Sequence, residues 1–197
     1  GQSKALSNPT VKAGDKVYDT IPFTISQIGW NKTEVKLEDF PITFDDSYFM
    51  AFNVMEKLNV LQIKEPGTGN FVDAVFNGQP EFNFSTLNAG NINYAALGKQ
   101  HLIVLSNLKD ISTGLSEELK KYVNQGGSLL IFPNENATIS SYNQFLNSSQ
   151  IGRFEALQSD NTEVESINLN HKLVKDLFDK VPQNISLPSV KKYYRFV

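Results

Sequence analysis

Asn107, Asn134 and Glu135 stand just past two of the chain's apolar runs, residues 102–105 and 129–132. In α/β proteins, ligands bind in the crevice at the carboxyl ends of parallel strands, which is where these residues would lie. The two amides, with Pro133 between the second run and Asn134, can line a small polar pocket. Glu135 can act as a general base if it is partly buried with an acid or hydroxyl within about 3 Å. The plainer reading makes all four turn formers and a helix lead-in, since the chain carries twenty Asn.

The other chemistry-bearing residues read as structural. A catalytic base needs a nucleophile or an orienting acid in reach. His101 instead precedes an apolar run, as a strand-edge residue does, and His171 follows the helix-cap candidate Asn170. Asp39, Asp45 and Asp46 lack the turn glycine and closing Glu of a calcium loop and read as solvated acids. Ser112 and Ser128 have no G-x-S-x-G context. With no cysteine, the chain has no disulfide, thiolate nucleophile or thiolate-bound zinc. No metal or cofactor is expected. Phe71, Phe76, Phe82 and Phe84 cluster around Gln79-Pro80 and read as core rather than as a partner patch. Five N-x-[ST] patterns, at Asn31, Asn83, Asn136, Asn147 and Asn184, are what this Asn content yields by chance.

The elements that would position the candidates follow from periodicity. Residues 17–25 alternate as a strand, 28–32 read as a turn, and 34–40 alternate with Val35 and Leu37 inward. Residues 48–54 form a further aromatic strand, so 1–56 is a β-rich segment. Residues 58–63 are a short buried strand. Asn70 can cap a helix that turns Phe71, Ala74, Val75 and Phe76 inward. Residues 82–84 are a brief strand candidate, and 92–97 a weak helix or turn. A buried strand at 102–105 precedes a helix capped by Ser112 or Thr113. Its apolar face is Leu115, Leu119, Tyr122 and Val123, with Glu117 facing Lys121. Gly126 can end it in the left-handed conformation, and a second buried strand follows at 129–132. Strand, helix, strand within about thirty residues is a βαβ crossover and implies a parallel sheet covered on both faces. A helix at 139–146, strands at 154–157 and 164–167, a helix with Leu173, Val174, Leu177 and Phe178 inside, and a strand at 190–197 complete the chain.

The chain has 197 residues, is 40% hydrophobic and carries a net charge of −3. No basic run gives it the electrostatic footprint of a nucleic-acid binder. Its apolar runs fall far short of the roughly 20 residues a membrane span needs, and no signal peptide is evident. The opening Gly1-Gln2-Ser3 and the strand-like ending Tyr193-Tyr194-Arg195-Phe196-Val197 read as cuts from a longer protein.

Apolar strand, amphipathic helix, Gly126-Gly127 and apolar strand resemble the core of class I glutamine-amidotransferase-like domains. That family closes the second strand with a cysteine on a strained elbow. Pro133 stands at the matching position, without nucleophile or N–H. The oxyanion-hole amide would belong to Asn134. The family's His two residues before Glu has no counterpart, since neither His101 nor His171 has a Glu there.

Further segments resemble the extracytoplasmic region of Bacteroidetes aerotolerance-type (BatA-like) membrane proteins. They are Glu38-Asp39-Phe40-Pro41-Ile42-Thr43-Phe44-Asp45, Asn59-Val60-Leu61, Ile111-Ser112-Thr113-Gly114-Leu115, and Gly126-Gly127 through Pro133. That resemblance implies membrane anchoring of the whole protein, a β-sandwich region ending in residues 1–56, and an amidotransferase-like domain over 57–197. It also implies a periplasmic location at the inner membrane and partners among membrane or periplasmic proteins.

The expected fold is therefore three-layer αβα of flavodoxin or class I glutamine-amidotransferase type, with a mostly parallel sheet behind a β-rich segment. The expected function is a non-catalytic extracytoplasmic module for interaction or ligand sensing. A divergent hydrolase using Glu135 is the second reading. A carbohydrate-binding module offering Trp30, Tyr193 and Tyr194 as stacking platforms is the third.

Overall fold

The computed structural model describes residues 5–25, 27–38, 46–172, 174 and 186–197. The chain divides into two compact units, Gly1–Glu56 and Lys57–Val197.

In the first unit, strand β1 (Gly29–Lys36) pairs antiparallel with β2 (Ser47–Val54), Gly29 opposite Val54 and Lys36 opposite Ser47. The strand thus begins where the Ile28–Gly29–Trp30 sequence reads as a turn. Gly29, at φ 94°, supplies the left-handed start that other residues resist. Residues 17–25 form no strand despite their alternation, and Val17, Ile21 and Phe23 are exposed. Alternation specifies a strand only where a neighbour supplies the ladder. Val35 and Leu37, expected inward, are also exposed. Asp39 and Asp45, with the expected continuation at 41–44, lie outside the described residues.

The second unit carries the parallel sheet. Its strands are β3 (Leu58–Lys64), β4 (Phe82–Asn88), β5 (Leu102–Leu108) and β6 (Ser128–Pro133). Their order is β4-β3-β5-β6, and every neighbouring pair is parallel. The chain leaves β3 for β4 on one side, then returns past β3 to β5 on the other. That reversal makes the carboxyl ends of β3 and β5 the switch point where α/β sheets open a crevice.

Helices cover both faces, unequally. Helix α1 (Phe71–Phe76) lies on one. Helix α2 (Thr113–Asn124), helix α3 (Ile139–Ser148) and a 3-10 turn, Tyr94–Lys99, lie on the other. The core sits on the second face. There Leu61 and Ile63 of β3 and Ile103 and Leu105 of β5 meet Leu115 and Leu119 of α2 and Tyr142 and Phe145 of α3. Helix α2 takes the expected apolar face, and the Ser112 hydroxyl accepts a hydrogen bond from the Leu115 N–H. Lys121 pairs with Glu118 rather than Glu117, at 2.6 Å one helical turn away.

Helix α1 spans only six residues. Phe76 packs on Phe82 and Phe84 of β4, with centroids 5.1 and 5.7 Å away, and Asp73 holds Lys64 at 3.0 Å. These contacts seat α1 over β3 and β4. Phe71 and Val75, expected inward, are 85% and 61% exposed. Asn70 stands at the N-cap without a side-chain cap bond; its Oδ1 lies 3.5 Å from Lys64 Nζ instead. Strand β6 is correspondingly half-open: Leu129 and Ile131 turn to the core, while Leu130 and Phe132 are exposed.

Beyond α3, β7 (Phe154–Gln158), β8 (Thr162–Glu163), β9 (Ser189–Val190) and β10 (Tyr193–Phe196) form two small antiparallel pairs, β7 with β10 and β8 with β9. The strand read at 164–167 is absent, its apolar spacing lying past the two-residue β8. Of the helix read after Asn170, Leu173, Leu177 and Phe178 lie outside the described residues.

Candidate functional site

A cavity of about 500 Å3 opens at the carboxyl ends of β5 and β6 and runs along the sheet face beside α1. Phe71, Val72, Val75 and Phe76 of α1 form one wall. Val104, Leu130 and Phe132 form the floor, because alternate residues of a strand share a face. Thr68 and Gly69 from the loop after β3, with Ser106, Asn107 and Pro133, close the carboxyl end. No acidic or basic side chain lines it among the described residues.

Asn107 sits in the left-handed region at φ 60°, where the β5–β6 register shifts between Ser106 and Leu108. A bulge of this kind re-aims a side chain and often borders a functional site. Asn is among the few non-glycine residues that enter this region readily. Its backbone oxygen accepts from Asn134 Nδ2 at 3.3 Å, and its own Nδ2 reaches Thr68 Oγ1 at 3.5 Å, the long limit of a hydrogen bond.

The four strand-end residues therefore separate. Asn107 and Pro133 line the cavity; Asn134 and Glu135 do not. Asn134 braces Asn107 from behind. Glu135 lies 2.5 Å from Lys192, with both side chains about half exposed. Half exposed and paired with a lysine, Glu135 does not have the geometry of a buried general base.

Four amides of the loop joining β6 to α3 are engaged. The Asn134 N–H donates to Leu108 O at 3.2 Å, and Asn136 N–H to Asn134 Oδ1 at 2.8 Å. Ala137 N–H donates to Asn134 O at 3.0 Å, and Thr138 N–H to Lys109 O at 2.8 Å. An oxyanion hole needs backbone donors aimed at open space. Here the Asn134 N–H is tied to the neighbouring strand.

His101 lies at the opposite, amino edge of the sheet. Its Nδ1 accepts from the Asn59 N–H at 2.8 Å, and its own N–H donates to Asn59 O at 2.9 Å. That pairing fixes Nδ1 as the unprotonated nitrogen and ties β3 to β5 far from the cavity. Ser112 is engaged as a helix cap, and the Ser128 carbonyl accepts from the Tyr122 hydroxyl at 3.0 Å. Trp30 is 73% exposed on β1, whereas the Tyr194 hydroxyl bonds Asn134 O at 2.8 Å. No cluster of three metal-ligating side chains occurs among the described residues.

The polar pocket expected at the strand ends coincides only in Asn107 and Pro133 with this mostly apolar cavity. Sequence reasoning missed Phe71, Val75, Leu130 and Phe132 as lining. The signal was the shortness of the helix between Asn70 and Gly78, which cannot cover four strands.

No described helix is long and apolar enough to cross a membrane. No family pattern matches the sequence, and no curated protein does. Among solved structures, a crystal structure of a ThuA-like protein from Bacteroides uniformis superposes with a TM-score of 0.51 at 14% identity. The match covers 74% of this chain and 64% of that one, so this chain spans less than two thirds of its length. At that identity the likeness speaks for the fold alone, a parallel α/β sheet of flavodoxin or class I glutamine-amidotransferase type; the β-rich N-terminal part is the β1–β2 pair of this chain.

Proposed function

We propose that this chain is a non-catalytic domain for ligand sensing or interaction, carried on the extracytoplasmic side of a membrane-anchored bacterial protein of the BatA-like kind. The observation that carries the non-catalytic reading is the β6 terminus. Pro133 occupies the nucleophile position, and the Asn134 N–H is engaged by Leu108 O at 3.2 Å. Neither the attacking group nor the anion-stabilising donor of the amidotransferase-like reaction is in place. The cavity fits binding, being mostly apolar with a few polar groups at one end. The extracytoplasmic setting and membrane or periplasmic partners rest on the sequence resemblance.

The test is a turnover assay of the chain on glutamine, on chromogenic esters and on amides, with Asn107→Gly alongside. The expected result is no hydrolysis above buffer. Turnover abolished by that single cavity substitution would overturn the proposal.

A further inference from the structure

We propose that the cavity beside α1 binds an uncharged, flat apolar molecule bearing one hydrogen-bond acceptor, which it meets at Asn107. This rests on the reading that the strand-end edge binds rather than reacts, and adds the class of ligand.

At about 500 Å3 the cavity falls within the roughly 300–1,000 Å3 of small-molecule sites. Its surface is made of phenyl rings and branched aliphatic groups, with three rings from Phe71, Phe76 and Phe132. Ring faces favour stacking and edge contacts with another flat system. Among the described residues, no charged side chain could compensate an ionised ligand for its lost water, which selects a neutral molecule.

The polar groups gather at one end, as Thr68, Ser106 and Asn107. The Asn107 amide is held by Thr68 only at 3.5 Å, so its N–H groups can turn to a better acceptor. Beneath the same face, Gln62 is opposite Val104 in the β3–β5 pairing and fully buried. Its Oε1 accepts from Thr86; its Nε2 has no hydrogen-bond partner among the described residues, but Gln62 does not line the cavity. The loosely held Asn107 N–H groups at the polar end are therefore the donors that an acceptor on the ligand would meet. The apolar rim is open, Phe71 at 85% and Phe132 at 49% exposure, and burying it on binding supplies the drive.

The experiment is equilibrium dialysis of the chain against three probes of one shape: 2-acetylnaphthalene, naphthalene and 2-naphthoate. The acetyl compound is expected to bind about threefold to tenfold more tightly than naphthalene, the range of one net hydrogen bond. Naphthoate is expected to bind at least roughly tenfold more weakly than the acetyl compound. Asn107→Gly keeps the backbone angle, removes the amide and should erase the preference for the acetyl compound over naphthalene. Leu130→Trp fills the floor from an exposed strand position and should abolish binding of every probe. Val75→Trp, on the exposed side of α1, serves the same end if the first variant fails to fold. Equal binding of naphthoate, an acetyl preference that survives Asn107→Gly, or binding that survives both tryptophan variants would overturn the inference. So would absence of binding by all probes; if the chain also hydrolyses nothing, the ligand class alone falls and the non-catalytic reading stands.

Discussion

Gly127→Ala should destabilise the second unit far more than a methyl group on a surface turn ordinarily does. The two glycines after α2 do different things. Gly126, at φ 92°, is the left-handed residue that ends the helix. Its N–H donates to Val123 O at 2.9 Å and that of Gly127 to Tyr122 O at 3.0 Å, the paired bonds of a Schellman motif. Gly127 has no such angle to explain it. It is glycine because the Tyr122 ring lies across it: a Cβ there would fall 2.6 Å from Tyr122 Cδ2 and nearer still to Cε2 and Cζ. The ring must move. Moving it strains a packed contact, at about 1–3 kcal/mol. It also breaks the 3.0 Å bond from the Tyr122 hydroxyl to Ser128 O, a further ~1 kcal/mol. We expect a loss of about 2–3 kcal/mol, read by urea unfolding at 222 nm, since the described α-helices all lie in this unit. The double-mutant cycle decides the cause. In a Tyr122→Leu background the ring is gone, and Gly127→Ala should cost under about 0.5 kcal/mol. Gly126→Ala should cost about 1–2 kcal/mol in either background, because its penalty is backbone strain. A Gly127→Ala loss that persists undiminished in the Tyr122→Leu background would refute the reasoning.

Further outcomes follow from other contacts. Ser112→Ala removes the α2 cap and should cost about 1 kcal/mol by chemical unfolding. Asp73→Asn breaks the pair with Lys64, whose side chain is only 16% exposed; it should cost about 1 kcal/mol after discounting for partial exposure. That variant should also weaken binding of any cavity ligand by loosening the α1 wall. Burial pushes the Tyr142 hydroxyl well above its ordinary pKa, with Tyr194 and Asp110 adding to the rise, and burial raises Tyr122 as well. A raised folded pKa gives stability that is full below the unfolded value of about 10 and is lost as pH climbs above it. Thermal unfolding between pH 9 and pH 11.5 should show a falling midpoint, and Tyr142→Phe should flatten the fall. A midpoint indifferent to pH in that window would argue against the burial.

The sheet was legible because its signals are local and strong. Continuous apolar runs at 102–105 and 129–132 and the amphipathic spacing from Leu115 to Val123 leave little choice of element. The glycine stop could also be read from sequence, because only a left-handed residue lets the helix end there. Coverage of the sheet was another matter. Leu130 looks as buried as Leu129 in sequence, yet Leu129 packs against the core while Leu130, on the opposite face, is 42% exposed. Periodicity states which residues share a face, and only tertiary packing states whether that face is covered. The same gap turned the expected polar pocket into an apolar one. Glu135 and Asn134 were adjacent candidates in sequence, but a turn after a strand sends successive side chains apart, one to Lys192 and one to Asn107. Residues 17–25 show the reverse failure, alternating yet forming no strand with any of the described residues.

The central claim is that the strand-end edge of this sheet binds a ligand and does not transform it. Its most direct test is thermal unfolding of the chain, and of Leu130→Trp, against neutral aromatics, sugars, nucleotides, amino acids, peptidoglycan fragments and divalent cations, with the solutions analysed afterwards for product. A ligand at about 100 times its dissociation constant adds roughly 2.7 kcal/mol of stability. We predict such a shift from a neutral aromatic compound, its loss in Leu130→Trp, and recovery of the compound unchanged. A shift that persists in Leu130→Trp, or a compound recovered as hydrolysis product, would contradict the account.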